Sequence, residues 1–303
     1  MALAPNTAPK LSIVIAAWNG EAMLRECLQS LKGQGETADI EIIVAANFGG
    51  EIRLACELEF GNLTFLAQPA ETSVPQLRSA GIAAARGEIV ALAEDHCIFD
   101  AEWCAEIKKA HLLDHSVVGG SVENSEGQRA LDWAVYFYDY GRYMPPNSAG
   151  EVASLSGNNV SYKRAALEDV RDLFREGFFE TFVHQELARR GHRLYLAPSA
   201  IVYHRKRYEF GAALVQCFHL ARSFAARRTS RAPVWTRFGY ALGSLLLPVL
   251  LPARISATVL RKKRRLGELF RAFPFVLVLM ANWSFGEFCG YLFGEGASAG
   301  KWK

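Results

Sequence analysis

Residues 11–21 read Leu-Ser-Ile-Val-Ile-Ala-Ala-Trp-Asn-Gly-Glu, and this stretch decides the fold. Residues 11–16 form a short apolar run rich in β-branched side chains, the composition of a strand buried on both faces. An Asn-Gly turn follows, and residues 21–32 then place apolar side chains at helical spacing. The order repeats downstream: residues 40–45 and 63–67 are strand-like, 74–86 helical, and 89–93 a continuous apolar segment. Short apolar strands separated by helices predict an α/β fold with a parallel sheet covered on both faces. In such open sheets ligands gather beyond the carboxyl ends of the strands, which directs attention to the loops after Ala16, Ala45 and Ala93.

Further along, residues 130–157 are irregular and aromatic, reading as mixed helix and loop beside the second substrate. Residues 180–190 form a helix ended by Gly191, and 194–196 and 201–203 are two short strands leading to His204. The formal charge of +3, from 34 basic and 31 acidic residues in 303, is too mild for a dedicated nucleic-acid binder. The six cysteines form no CxxC pair, which fits a reducing cytosolic setting. The first ten residues lack the basic-then-apolar order of a signal peptide, so the first domain is expected to stay unexported.

Residues 87–96, Gly-Glu-Ile-Val-Ala-Leu-Ala-Glu-Asp-His, put Glu94, Asp95 and His96 on the loop leaving a buried strand. A strand end of that composition can hold a divalent ion. The ion in turn holds a diphosphate and neutralises the charge that grows on it as a bond to it breaks. With an imidazole in the last position, Mn2+ suits the set better than Mg2+, which prefers oxygen ligands.

In their order these motifs resemble family 2 glycosyltransferases of the GT-A fold. The resemblance rests on Ala16-Ala17-Trp18-Asn19 followed by Gly20-Glu21, on Arg78 within residues 76–82, and on Glu94-Asp95-His96 where that family has Asp-x-Asp. Residues 156–164, Ser-Gly-Asn-Asn-Val-Ser-Tyr-Lys-Arg, resemble the family's acceptor-side segment, and residues 178–180 and 191–204 its catalytic helix and the strands after it. The match spans residues 10–207 and implies a Rossmann-like, mostly parallel sheet flanked by helices. It implies donor contacts from Ala17, Trp18, Asn19, Glu21, Asn47, Arg78, Glu94 and Asp95, with Asn47 standing where the family has a base-binding aspartate. The implied metal ligands are Asp95, His96 and His204, and Gly157, Asn158, Asn159 and His184 fall on the acceptor side. Glu180 falls at the position of the catalytic base, with Glu186 as the fallback. The activity implied is inverting transfer from a nucleotide-sugar, UDP-linked by preference, to a lipid-linked or polysaccharide hydroxyl, with Mn2+ or Mg2+ assisting departure of the diphosphate.

The chain is expected to divide into a catalytic domain, residues 1–207, and a basic, apolar helical region, residues 208–303. In the latter, residues 238–253 and 272–286 are uncharged stretches, both short for a span of about 20 residues, with the basic run 261–265 between them. Two full spans around a cytoplasmic domain would put that run outside, against the positive-inside tendency. Helices lying in the interface or re-entering it are therefore expected, at the cytoplasmic face of the plasma membrane, with a two-helix hairpin as the alternative. Two rivals to glycosyl transfer are a sugar nucleotidyltransferase, which lacks its phosphate loop here, and a non-catalytic membrane scaffold.

Overall fold

The computed structural model describes residues 8–34, 39–49, 52, 53, 56, 59–61 and 63–301, so the reading of residues 1–7 lies outside the described residues. Strands β1 (Leu11–Ala17), β2 (Ile40–Ala46), β3 (Leu63–Ala67) and β4 (Ile89–Glu94) pair in parallel in the order β3-β2-β1-β4. Every residue of β1 and β2 is buried, as a continuous apolar run between two helical layers requires, whereas edge strand β3 is only partly covered.

The sheet then changes character. It continues as β8 (Val160–Lys163), β6 (Val117–Asn124), β9 (Leu194–His204) and β5 (Cys97–Phe99), with β7 (Gly150–Glu151) also on β9. The pairs β4/β8, β6/β8, β5/β9 and β7/β9 are antiparallel, so the parallel arrangement occupies one half of the nine strands. The two short strands expected at 194–196 and 201–203 are one 11-residue strand, because β9 exchanges partners along its length. It pairs with β7 at Tyr195 and Leu196 and with β5 from Val202 to His204.

Helices α1 (Glu21–Ser30), α2 (Val74–Ala84), α3 (Trp103–Ala110), α4 (Ala130–Asp139), α5 (Arg164–Asp169) and α6 (Glu180–Arg189) follow in chain order. Helix α2 opens on a Ser73/Gln76 capping box with a proline in its first turn. It ends earlier than its apolar pattern predicts, since Arg86 N and Gly87 N both turn to donate to the buried Glu41 carboxylate. Gly81 lets α2 lie close on β1, because a Cβ there would overlap Val14.

The chain forms two compact units, one of Met1–Glu123 with Tyr143–Arg205, the other of Asn124–Arg142 with Lys206–Lys303. The first unit ends at Arg205, beside the boundary expected at 207/208, and the aromatic segment is divided, with residues 130–142 in the second unit and 143–157 in the first. Helix α4 buries Leu131, Trp133, Tyr136 and Phe137 and packs against helices of the second unit, and Asp132 accepts from Tyr208 N at 2.8 Å. These aromatics are core.

The second unit continues with α7 (Phe210–Arg228), α8 (Val234–Ser244), α9 (Leu247–Lys262) and α10 (Leu266–Phe293). Uncharged residues 238–253 are split between α8 and α9, whose axes bend by 63°. Among the described residues α10, with 28 residues, is the one helix long and apolar enough to cross a membrane by length and composition; α8 and α9 qualify only as one bent span. Gly286 and Gly290 bring α10 onto α7: a Cβ at Gly286 would stand 2.6 Å from Phe218 O, and one at Gly290 2.7 Å from Ala225 Cβ.

Candidate active site

Strands β1 and β4 lie side by side in parallel with Ala16 opposite Glu94, so the residues leaving both strands emerge at one edge. The turn after β1 closes on Asp95. Trp18 N and Asn19 N donate to Asp95 Oδ2 at 2.8 and 2.6 Å, and Asn19 Nδ2 donates to Oδ1 at 2.6 Å. Asp95 is fully buried, and its own amide donates to Ala16 O. Its carboxylate fixes the Trp18-Asn19 turn, since charge-assisted bonds to backbone amides are the strong ones. Ala17 takes part through its carbonyl, which accepts from Asn47 N.

His96 is buried beside this turn. Its ring meets Trp18 edge-on at 5.6 Å and His204 edge-on at 4.8 Å between centroids. Its Nε2 makes no hydrogen bond and lies 3.2 Å from Glu94 Oε2. The other Glu94 oxygen is held by Arg78, which reaches from α2 and donates through its second terminal nitrogen to Glu180 Oε2 at 2.8 Å. Arg78 and Glu94 are almost fully buried, whereas the Glu180 side chain retains 23% of its exposure. Glu180 opens α6, where the helix dipole favours an anion. One guanidinium between two carboxylates leaves the group formally negative, with its accessible member at the surface.

Gly157 borders that pair. A Cβ there would stand 2.7 Å from Glu180 Cδ and 2.9–3.0 Å from the Arg78 nitrogens, so only glycine leaves the pair intact. Its neighbours play other parts. Asn158 is buried with Oδ1 bound by Ser156 and with Nδ2 making no hydrogen bond. Asn159, expected on the acceptor side, is fully buried and stitches the sheet together: Trp103 Nε1 donates to its Oδ1, and its Nδ2 donates to Ser121 O and Ala200 O.

The remaining nominations divide in the same way. Asn47 spends its Nδ2 on Ala70 O and Thr72 O, while its carbonyl oxygen accepts from no described residue and suits an N–H on a base edge. Glu21 is exposed in the first turn of α1, a position that also favours an anion for the helix alone. Glu186 is bonded to Arg189 and Arg190, which hold its carboxyl down to about 2 and make it a poor proton acceptor. His184, expected on the acceptor side, is buried. Its Nε2 meets Tyr162 Oη at 2.7 Å and burial pushes its pKa down to about 4.

For a divalent ion the residues fit in part. Among the described residues no group of three His, Cys, Asp or Glu is arranged to hold one, so Asp95, His96 and His204 do not form the expected set. Asp95 is engaged by the Trp18-Asn19 turn. What the site offers is the unbonded His96 Nε2 beside Glu94 Oε2, a two-point hold of mixed nitrogen and oxygen character. The link from Arg78 to Glu180 crosses 102 positions of sequence, and no local signal announces it.

Residues 12–171, just over half the chain, match the glycosyl transferase family 2 profile. A Bacillus subtilis (strain 168) protein named "Putative glycosyltransferase EpsH" is 25% identical over 234 residues, covering 69% of this chain and 67% of that one. The fold is shared with the mannosyltransferase PcManGT from Pyrobaculum calidifontis, solved with GDP-Man and Mn2+ (TM-score 0.57, 15% identity, 95% of this chain and 89% of that chain). It is shared also with GalNAc-T7, solved with UDP, GalNAc and Mn2+ (TM-score 0.52, 14% identity, 75% of this chain and 52% of that chain). The chain belongs to glycosyl transferase family 2.

Proposed function

We propose that this transferase moves a sugar from a nucleotide-sugar with inversion, using Glu180 as the single base. The observation that carries the proposal is the Glu94–Arg78–Glu180 group at the carboxyl edge of β1 and β4, open only at Glu180 and bordered by Gly157. As the acceptor hydroxyl oxygen attacks the anomeric carbon, its proton passes to the Glu180 carboxylate and the bond from that carbon to the diphosphate breaks. Arg78 holds Glu180 in place through a 2.8 Å hydrogen bond, and the Trp18-Asn19 turn, fixed by Asp95, supplies the wall against which the donor lies. Glu94 and His96 are the residues that would hold Mn2+, and the ion would supply positive charge to the departing diphosphate. The neighbouring folds were solved with Mn2+ and with either GDP-Man or UDP and GalNAc, which supports the metal and leaves the base to Asn47; a UDP-sugar is the favoured donor.

The second unit supports placement at the cytoplasmic face of the plasma membrane. It combines the apolar α10, the bent α8–α9 pair and a basic run at 261–265, features that suit a helical surface resting in the interface or a hairpin entering it. Such placement favours a lipid-linked or surface-polysaccharide acceptor. The test is a panel of UDP-, GDP- and dTDP-sugars with Mn2+, scored by thermal stabilisation and by release of nucleoside diphosphate in the presence of an isoprenoid-phosphate acceptor or an oligosaccharide. One donor should stabilise the chain and turn over, with turnover lost in Glu180→Gln. Full turnover in that variant, or stabilisation by none of the donors, would contradict the proposal.

A further inference from the structure

The helical unit contains a groove of about 570 Å3. One wall is α8 at Gly239, Tyr240 and Gly243; the other is Arg228 of α7 with Glu287 and Tyr291 of α10. Its volume lies within the roughly 300–1,000 Å3 typical of ligand sites.

The two wall glycines are unexplained by the fold. Each costs a helix interior about 0.5–1 kcal/mol relative to alanine. A Cβ at Gly239 or Gly243 would meet nothing within 4 Å, whereas the similarly spaced Gly286 and Gly290 are needed to seat α10 on α7. Their absent side chains serve only to keep the groove open. The floor is polar and balanced: Glu287 accepts from Trp283 Nε1 at 2.8 Å, from Tyr291 Oη at 2.7 Å and from Arg228 at 3.3 Å. The Arg228 side chain keeps 45% of its exposure and so presents a cation at one end. Flanking the lining residues in sequence, Trp235 (85% exposed), Phe238, Leu242, Leu246 and Val249 (73%) are exposed apolar side chains. Residues 206–265 carry 13 lysines and arginines against one glutamate.

A groove whose lining is flanked in sequence by exposed apolar side chains, ending at a cation within a strongly basic segment, suits an amphiphile with an anionic head. We propose that the groove holds one hydrocarbon chain of a phosphate-headed membrane lipid, with the phosphate at the Arg228 end. The inference rests on the membrane placement of this unit proposed above. The Gly-x-x-x-Gly spacing also suits close packing of a partner helix. That packing brings two backbones together, whereas here the glycines face a groove whose other wall carries Arg228, Glu287 and Tyr291.

The test uses the full chain with phosphatidylcholine vesicles doped with a diazirine-bearing phosphatidic acid. Photolabel is expected on the peptides containing Tyr240 and Tyr291. Gly239→Leu and Gly243→Leu should each reduce it about tenfold, a loss of ~1.4 kcal/mol of binding, without altering cosedimentation with vesicles. Neither leucine meets an obstacle at its Cβ, and unchanged melting transitions confirm folding. Arg228→Gln should lower labelling by the phosphatidic acid probe and spare that by a diacylglycerol probe. Equal labelling in wild type and both leucine variants overturns the proposal. So does a change of oligomeric state in Gly239→Leu without labelling of the groove, which would assign the face to a helix. Wild-type chain that fails to sediment with vesicles overturns the membrane placement together with the groove; chain that sediments but labels elsewhere overturns the groove alone.

Discussion

Each unit pairs an arginine with a buried glutamate, and the two clusters differ in how the charges close. In the first unit Arg78 stands between Glu94 and Glu180, so one cation serves two carboxylates, of which Glu180 is the more exposed. In the second, Arg228 meets a single carboxylate that also accepts from Trp283 and Tyr291. There the charges balance and no carboxylate is left over. Burying charge is costly, and only the first cluster buries its arginine.

Among variants that leave Glu180 itself in place, the sharpest contrast comes from removing each arginine. Arg78→Met strands two carboxylates and should cost about 3–5 kcal/mol. Arg228→Met should cost only about 1–2 kcal/mol, since Arg228 is nearly half exposed and Glu287 keeps two hydrogen bonds. Thermal melting of both variants compares them directly, and equal losses would break the contrast.

The next effect belongs to the first unit alone. Burial holds His184 neutral, with its pKa lowered from 6.5 to about 4. As pH falls the unfolded chain takes up this proton first. Stability present above about pH 6.5 is therefore lost down to about pH 4, by at most ~3 kcal/mol. His111, also pushed down to about 4 by burial, adds a loss of the same sign. Melting temperature against pH should fall less steeply in His184→Phe; an identical slope would show that His184 does not titrate in this way.

Gly157→Ala tests whether the open end of the Arg78 cluster is set by geometry. Displacing Glu180 should lower turnover by roughly tenfold to a hundredfold while melting stays near wild type. Glu186→Gln should do least, within about 0.5 kcal/mol in stability and with turnover unchanged, because that carboxylate is a surface partner of Arg189 and Arg190. A large loss of turnover in Glu186→Gln would move the base.

The parallel half of the sheet is legible because β1, β2 and β4 are buried on both faces and read as continuous apolar runs. The antiparallel half is not, because its pairing depends on distant contacts. Gly120 in β6 is placed by Ala200 in β9 and by the Asn159 amide, none of them near it in sequence. At the site, the residue types announce Glu94, Asp95 and His96, and the family resemblance adds Trp18, Asn19 and Glu180. Only the structure shows that Asp95 is spent on amides, that Asn159 is core, and that Arg78 joins Glu94 to Glu180. Pro248 in the first turn of α9 marks the start of that helix, but not the 63° bend before it.

The central claim is that the accessible carboxylate of the Arg78 cluster takes the acceptor's proton. The most direct measurement is single-turnover release of nucleoside diphosphate by Glu180→Gln, paired with thermal stabilisation of the same variant by the donor. The account predicts a fall of about 10²–10⁴-fold in the rate with donor stabilisation kept. An undiminished rate would contradict it.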